Sequence, residues 1–294
     1  MLPRNNLHKY SIFLLFSVLF CFPAFAQKNY IRVYVPQAEI SPGTVLNSKN
    51  SLISTSYYDS AGRLIQTVQQ GITPLGKDIA NHIIYDSQNR KECEWQALPF
   101  STSDGLYKPL STFESSDYKD YYHIEYEYEP SVLNRITAEV GRNSKGKSIR
   151  MEYLMNTPAI SELSVYHYTR NSDTSIKNEG VYPAGFLNCI KQTDEDGNIL
   201  YTFTNPEKKV ILERHTHISY SENSDTYYIY DNLDKLFCVL PPAASDILQS
   251  TSDIYTLSDN DILDRYAYFY HYDGLNNCVA TKLPGSGWYY TVYD

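Results

Sequence analysis

The sequence contains no H-E-x-x-H, C-x-x-C or G-x-S-x-G motif and no glycine-rich phosphate loop, so the commonest zinc, thiol-redox, serine-hydrolase and nucleotide chemistries have no foothold in it. Gly285-Ser286-Gly287 reads as a turn before a strand, and its serine has no identifiable base. No cluster of lysine or arginine offsets a net charge of −9, which argues against nucleic acid and against anionic lipid as partners. Amphipathic helix patterns are scarce. The best is Ser258 to Tyr268, where Ser258 and Asp261 form a capping-box pattern ahead of Ile262, Leu263 and Tyr266; it predicts one short helix packed on a sheet. Long apolar runs are also missing, with a single exception at the N-terminus.

That exception is Ser11 to Phe22. Arg4, His8 and Lys9 precede it, and Ala24-Phe25-Ala26 follows with small residues at the two positions a signal peptidase reads. The segment 1–26 is expected to be a Sec-type signal peptide, cleaved before Gln27. As a membrane anchor the run falls short of the ~18 to 20 apolar residues a span needs. A lipoprotein attachment at Cys21 fits less well, because Phe20 stands where a small residue is expected. Cleavage removes Arg4 and Lys9 and no acid, so the exported chain becomes more negative still. Its expected location is the periplasm, the cell surface or the medium, with no membrane contact after cleavage.

Tyrosine is the residue present in excess. There are 29 against 11 phenylalanines and 2 tryptophans, which points to sheets with one dry and one wet side. Many of these tyrosines belong to a repeat: Tyr58-Asp59-Ser60-Ala61-Gly62-Arg63, Tyr85-Asp86-Ser87-Gln88-Asn89-Arg90, Tyr230-Asp231-Asn232-Leu233-Asp234-Lys235 and Tyr272-Asp273-Gly274-Leu275-Asn276-Asn277, with a last Tyr293-Asp294. A degenerate copy spans Phe203 to Lys209, preceded by the turn Asp194 to Asn198. Each copy has one grammar. An alternating aromatic strand enters, as in Tyr266 to Tyr272. Asp opens a turn, because its carboxylate accepts from backbone N–H groups two or three residues on. Gly or Asn tends to stand four residues after the Tyr, where a left-handed backbone is required. Arg, Lys or Asn closes the turn and a second strand leaves, which is a β-hairpin signature. Leu98-Pro99, Leu240-Pro241 and Leu283-Pro284 then end the outgoing strands, since proline cannot donate to a ladder.

Four cysteines remain after cleavage: Cys93, Cys189, Cys238 and Cys278. Four allow three pairings in an exported protein. Cys93 and Cys238 each lie seven residues after the Asp of their unit and Cys278 lies five after its own, so all three face one side of their strands. That register favours buried thiols in one layer of a core; a Cys93–Cys238 bridge requires their hairpins to be neighbours.

The stretch 101–190 lacks the motif but still reads as strands, with alternation at His123 to Tyr128 and Leu163 to Tyr168 and turn signals at Gly141 to Gly146 and Asn171 to Asp173. The organisation expected is a signal peptide (1–26), an N-terminal arm (27–50), an N-terminal β domain with two Tyr-Asp motifs and a motif-poor region (51–190), and a repeat sheet (191–294) that ends in mid-unit.

Four local features invite a chemical reading. Glu213, His215 and His217 share a strand face, and a His-x-His pair can ligate a metal; a solvated strand face is the plainer account. Asp194, Asp196 and Asn198 resemble the start of a calcium loop, but the glycine falls at Gly197 and Asn205 stands where glutamate is required, so a turn is expected. Asp259, Asp261 and Asp264 form the sort of cluster any acidic chain produces, and acid–base work needs convergence in a pocket. Trp288-Tyr289-Tyr290 and Tyr57-Tyr58 offer faces for stacking on sugars, yet alternate residues of a two-sided sheet look the same. No catalytic, metal or cofactor residue is assigned.

The ordered series of Tyr-Asp-x-x-Gly-Arg units in a tyrosine-rich exported chain resembles the YD-repeat, or Rhs (rearrangement hot spot), proteins. The details are similar to those of the Bacteroidota branch. Tyr57 to Val68, Gly76-Lys77-Asp78-Ile79 and Tyr85-Asp86 resemble the uncharacterised domain that precedes the repeats there. Tyr182-Pro183-Ala184-Gly185, Thr193 to Asn198, Tyr228 to Asp231 and Val239-Leu240-Pro241-Pro242 have the look of the same group. The resemblance covers most of 27–294. It implies an all-β fold of long antiparallel hairpins in a curved, spiralling sheet, with at most one or two short helices. In that family the sheet becomes a hollow shell around a C-terminal toxin or enzyme. Such shells need several hundred more residues, and no self-cleavage motif or toxin domain is present here. The chain is therefore expected to be a non-catalytic section of such a shell, truncated and lacking the effector. Its partners would be the remainder of a longer chain or its encapsulated cargo. Tyr58, Asp59, Gly62, Arg63, Tyr85, Asp86, Arg90, Tyr230, Asp231, Tyr272 and Asp273 would be turn-forming positions. The rival expectation is a surface carbohydrate-binding or adhesion module that contacts cell-surface glycans.

Overall fold

The computed structural model describes residues 29–39, 41, 43–116, 122–141, 148–217, 223–248, 253–257 and 261–293. The expected signal peptide, most of the Gly141–Gly146 turn, Ser258 of the capping pattern, Asp259 and Asp294 lie outside the described residues. Contacts divide the chain into two compact units between Lys119 and Asp120. The resumption of Tyr-Asp units after residue 190 falls inside the second of them.

The first unit is an antiparallel meander of β1 (Asn29–Pro36), β2 (Ser51–Tyr58), β3 (Leu64–Gln70), β4 (Ile79–Tyr85) and β5 (Lys91–Pro99), hydrogen-bonded in that order. Period-two alternation drives one face inward: β2 reads buried at Ser51, Ile53, Thr55 and Tyr57 and more open between them. Tyr57, Val68, Ala80, Cys93, Trp95, Leu98 and Phe113 form the core. The five-residue helix α1 (Leu110–Glu114) has no side-chain cap, so its propensity does not account for it. Its anchor is Phe113, fully buried, whose ring lies 4.9 Å from Phe100, 5.5 Å from His82 and 5.8 Å from Trp95. Burying a phenylalanine contributes about 2–3 kcal/mol, enough to hold one helical turn against the sheet.

Residues 100–109 cross the same face and are tied down by polar groups. Asp78 is fully buried; its Oδ2 accepts from Lys108 Nζ at 2.9 Å and Gly105 N at 2.9 Å, and its Oδ1 from Gly71 N at 3.0 Å. Lys108 Nζ also donates to Thr102 Oγ1 at 2.5 Å and Asp104 Oδ1 at 2.6 Å. Gln66, buried in the middle of β3, exchanges both amide bonds with the Lys108 backbone at 2.7 and 2.8 Å. Every charge here is paired, as a buried ion pair must be. Burial alone would push the Lys108 ammonium down, but its bonds to Asp104 and Asp78 outweigh that and hold it above the ordinary lysine range.

The second unit contains β6 (His123–Tyr128), β7 (Ile136–Gly141), β8 (Ser148–Met155), β9 (Tyr166–Ser172), β10 (Ser175–Val181), β11 (Asn188–Thr193), β12 (Ile199–Thr204), β13 (Val210–Thr216), β14 (Asn223–Tyr230), β15 (Leu236–Leu240), β16 (Ile254–Thr256), β17 (Tyr268–Tyr272), β18 (Cys278–Lys282) and β19 (Trp288–Tyr290). The main sheet runs β6-β7-β8-β11-β12-β13-β14-β15-β17-β18-β19, and β16-β10-β9 form a smaller sheet. Short helices α2 (Pro242–Ser245) and α3 (Asp261–Tyr266) accompany them. The small sheet and both helices close one face of the main sheet over a core that includes Tyr168, Ile176, Tyr201, Phe203, Leu212, Tyr227, Ile229, Cys238, Leu240, Leu263 and Phe269. Arg214 is, with Asp225 and Lys282, one of the buried charged groups of this unit. It meets Asp225 through Nε at 2.7 Å and Nη2 at 2.6 Å, and its Nη1 donates to the carbonyls of Ser161, Glu162 and Ser164 at 2.9 to 3.1 Å.

The fold is the all-β architecture of antiparallel hairpins that the sequence predicts. Three details differ. Among the described residues there are three short helices where at most two were expected, because Phe113 and the Pro242 turn each insert apolar groups into a core. The helix predicted from Ser258 to Tyr268 spans Asp261–Tyr266, and the aromatic strand after it starts at Tyr268. The strand expected from Leu163 starts at Tyr166, since Ser161–Leu163 form a 3-10 turn beneath Arg214. The proline stops lie at or just after the ends of β5, β15 and β18.

Candidate functional site: a ladder of capped turns

The Tyr-Asp units form one turn, built the same way each time. The residue at the Tyr position pairs with the residue six positions on: Tyr58 with Leu64, Tyr85 with Lys91, Thr204 with Val210, Tyr230 with Leu236 and Tyr272 with Cys278, each at a register shift. Thr193 pairs with Ile199 in the same way without a shift. Five residues remain between the strands. Their first is Asp59, Asp86, Asp194, Asn205, Asp231 or Asp273. Its backbone N–H donates to the carbonyl of the fifth residue at 2.8 to 3.0 Å, and its carbonyl accepts from the fourth at 2.9 to 3.1 Å. Its Oδ1 accepts the fifth residue's N–H at 2.8 to 2.9 Å in all six turns. In the five Asp turns Oδ1 also accepts the third residue's N–H at 2.8 to 2.9 Å.

The fourth residue is left-handed throughout: Gly62 (φ 78°), Asn89 (66°), Gly197 (87°), Lys208 (65°), Asp234 (64°) and Asn276 (73°). Gly, Asn and Asp take this conformation at little cost; Lys208 does so against about 1 kcal/mol. The second carboxylate oxygen is taken by the closing side chain in four turns: Arg63 Nε at 2.7 Å, Arg90 Nε at 2.8 Å, Asn198 Nδ2 at 2.8 Å and Asn277 Nδ2 at 3.0 Å. These bonds hold Asp59, Asp86 and Asp273 below the usual carboxylate range, the closing residue's N–H being the largest cause; for Asp194 the largest is the Asn198 side chain.

Sequence reasoning missed a seventh turn. Tyr128 pairs with Ile136, and Glu129 N–H donates to the Arg135 carbonyl at 3.0 Å. Asn134 is left-handed at φ 51°, and Arg135 forks onto Glu129 at 2.8 and 2.9 Å, which holds that carboxyl at about 2. Glutamate for aspartate and two extra residues hid it. The signal was the pair Asn134-Arg135, which repeats Asn89-Arg90.

The turns are linked to one another. Strand register sets the closing residue of a turn across from a tyrosine on the next strand, which is the Tyr position of a further turn at Tyr85, Tyr230 and Tyr272 and a mid-strand residue of β8 at Tyr153. Arg63 lies over the Tyr85 ring at 4.4 Å, Arg135 over Tyr153 at 4.1 Å, Lys209 over Tyr230 at 5.0 Å and Lys235 over Tyr272 at 5.4 Å. The hydroxyl of that tyrosine donates to the carbonyl of the residue after the cation: Tyr85 to Leu64 at 3.0 Å, Tyr153 to Ile136 at 2.9 Å, Tyr230 to Val210 at 3.1 Å. The cation also reaches the left-handed residue of the next turn, as Arg63 does to Asn89 at 2.7 Å, Lys209 to the Asp234 carbonyl and Lys235 to Asn276. Tyr, Asp, the left-handed residue and the closing cation are therefore four parts of one ladder.

Asp231 departs from the pattern. Its second oxygen faces Arg170 Nη1 at 3.6 Å, from the β9–β10 hairpin, and that guanidinium stacks on Phe237 at 4.8 Å. A turn of the main sheet is thereby tied to the small sheet that covers the core.

The other sequence candidates are dispersed. His215 and His217 line an open cleft of about 420 Å³ with Gln192, Asp194, Asn198 and Leu200, and among the described residues no three His, Cys, Asp or Glu groups cluster to hold a metal. Glu213 accepts from Tyr228 Oη at 2.8 Å. Trp288 packs edge-on against His271 at 4.6 Å and touches the core, while Tyr289 and Tyr290, adjacent in a strand, point to opposite faces. Cys93, Cys189 and Cys238 are buried and outside any disulfide, and Cys278 is half-buried; burial pushes Cys189 up to about 12. Among the described residues no helix is long and apolar enough to cross a membrane.

Residues 31–153 match a domain of unknown function, DUF6443. No curated protein matches the chain in sequence. Solved structures similar to it include the crystal structure of TcdB2-TccC3-Cdc42, with a TM-score of 0.58 and 13% identity over 96% of this chain. The crystal structure of TcdB2-TccC3 gives 0.53 and 13% over 90%, and the Photorhabdus luminescens Tc holotoxin pore with a TccC3 mutation gives 0.52 and 14% over 90%. The chain spans only 12 to 13% of those much longer chains. At such identity the likeness establishes the fold: the hairpin sheet of this chain is similar to a stretch of the sheet in those toxin assemblies.

Proposed function

We propose that the chain is a non-catalytic structural section of an exported Rhs-like β-shell, whose partners are the remainder of a longer chain or the cargo it encloses. The observation that carries this reading is the last rung of the ladder. Tyr293 Oη donates to the Cys278 carbonyl at 3.1 Å, the bond that Tyr85, Tyr153 and Tyr230 make to the residue after a closing position. Continuing the β18–β19 register sets Tyr293 across from Asn277, so it occupies the Tyr position of a further unit. The ladder is thus a device that extends from hairpin to hairpin, which suits a shell wall and has no use in a catalytic pocket. The likeness to the TcdB2-TccC3 assemblies supports the same reading.

The test is to append one more Tyr-Asp hairpin after Asp294 and follow hydrogen exchange at β19. Slowed exchange of the Trp288–Tyr290 amides is expected, and Tyr293→Phe should weaken that protection. Unchanged exchange with and without the added hairpin counts against the shell reading. Export is tested separately, by N-terminal sequencing of the secreted fraction: a chain beginning at Gln27 supports it, and one retaining residues 1–26 in the cytosol sinks it.

A further inference from the structure

β1 stands at an edge of its sheet with seven of its eight residues exposed. Among the described residues it is hydrogen-bonded only to β2, and its eight pairs with β2 run without a register shift, unlike five of the six Tyr-Asp hairpins. Ile31, Val33 and Val35 are 58, 50 and 52% exposed, and Leu52 of β2 beside them is 44% exposed. Edge strands normally avoid association through charge, a bulge or a central proline. β1 has only Arg32, whose Nε donates to Thr55 Oγ1 at 2.9 Å and whose Nη2 donates to the Gly105 carbonyl at 3.2 Å, and its proline stands at the end.

We propose that β1 is a self-association edge: it pairs antiparallel with β1 of a second copy of this chain, across a two-fold axis at Val33. Charge selects this occupant, and the side-chain pattern of β1 fixes its register. The chain carries 34 acids against 25 bases, so two copies repel over most of their surface. From Asn29 to Tyr58 the only acid is Glu39, so here an acidic chain can meet itself without that repulsion. Directly opposed residues in an antiparallel pair share a face, so the face carrying Ile31, Val33 and Val35 stays continuous only if odd positions oppose odd ones. An axis at Val33 does this. It sets Val33 against its own copy, Ile31 against Val35 of the second copy, and Arg32 against Tyr34, where a guanidinium–aromatic contact replaces a like-charge pair. An axis between Arg32 and Val33 would put the aliphatic face of one strand beside the Tyr-Arg face of the other. Such an isologous pairing closes on itself as a dimer.

Single-cysteine crosslinking of the full chain in expressing cells tests the proposal, using oxidation or a short bis-maleimide against the unsubstituted chain. Val33→Cys is expected to give a covalent species of twice the chain mass. Ile31→Cys and Val35→Cys alone should give little of it, and the two co-expressed should give as much as Val33→Cys. Val33→Lys, at an exposed position the fold tolerates, should leave the melting temperature in place and reduce the dimer seen in sedimentation at least tenfold. Any of three results overturns the proposal: Val33→Cys crosslinking no better than the unsubstituted chain, equal crosslinking from all three single variants, or a product joined to a different polypeptide.

Discussion

In the first unit the buried sheet face is closed by a loop and one helical turn; in the second it is closed by another sheet. The loop brings backbone that has no ladder of its own, so the first unit meets it with Gln66, Asp78 and Lys108, which together satisfy the backbone N–H groups of Gly71, Gly105 and Lys108. The small sheet of the second unit carries its own strand ladder, and buried polar side chains there serve irregular backbone instead: Arg214 the 3-10 turn at Ser161, Asn156 the N–H of Leu187 and the carbonyl of Pro183, and Lys282 the carbonyls of Asp264 and Ser286. The lesson is that a shared hairpin ladder leaves the covering layer free to vary. Polar burial appears where the cover is irregular, because every buried backbone group must find a partner.

Variants of the buried charges break this comparison most directly. Lys108→Met strands Asp78 and Arg214→Met strands Asp225, and each should cost about 3–5 kcal/mol. Hydrogen exchange should localise the first loss to β3 and β4 and the second to β13 and β14; equal loss in both units from either variant would remove the distinction. Next in size is Asp231→Ala, which frees two backbone N–H groups and the Arg170 contact together. It should cost about 1–2 kcal/mol and loosen the β9–β10 hairpin, seen as a lower melting temperature and faster exchange there.

Acid should then act on both units through the turns they share. The carboxyls of Asp59, Asp86, Asp194 and Asp273 lie below their ordinary value of 3.8 when folded, and that of Glu129 falls from 4.5 to about 2. Their contribution is complete above the ordinary value and is lost as pH falls through the folded one, so melting temperature should drop below about pH 4.5. Asp86→Asn should flatten that drop in the first unit alone. Lys208→Gly relieves a left-handed lysine at φ 65° and should raise stability by about 0.5–1 kcal/mol, whereas Gly62 already meets that need. The smallest effect expected is from Lys235→Ala, about 0.5 kcal/mol, through the lost contact with the Tyr272 ring.

Much of the ladder was legible in the residues. Asp at the first turn position, Gly or Asn at the fourth and a cation at the fifth each have a local reason that a five-residue window displays. The same logic made a turn the better reading of Asp194 to Asn198 than a calcium loop. Asn205 to Lys209 was visible only as a degenerate copy, because Lys208 disguises the left-handed position. Glu129 to Arg135 was invisible for the reasons already given, and Arg170 escaped because it reaches Asp231 from 61 positions away.

By itself, then, the sequence determined the turn chemistry, the strand alternation and the all-β class, since these depend on contacts between residues close in the chain. Only the tertiary structure decided which closing cation meets which tyrosine, how each unit covers its sheet, and that among the described residues β1 pairs with β2 alone. Those are matters of strand order and register, and they rest on pairings between residues 20 to 40 positions apart or more, such as Arg63 with Asn89 and Lys235 with Asn276, for which no local pattern is required.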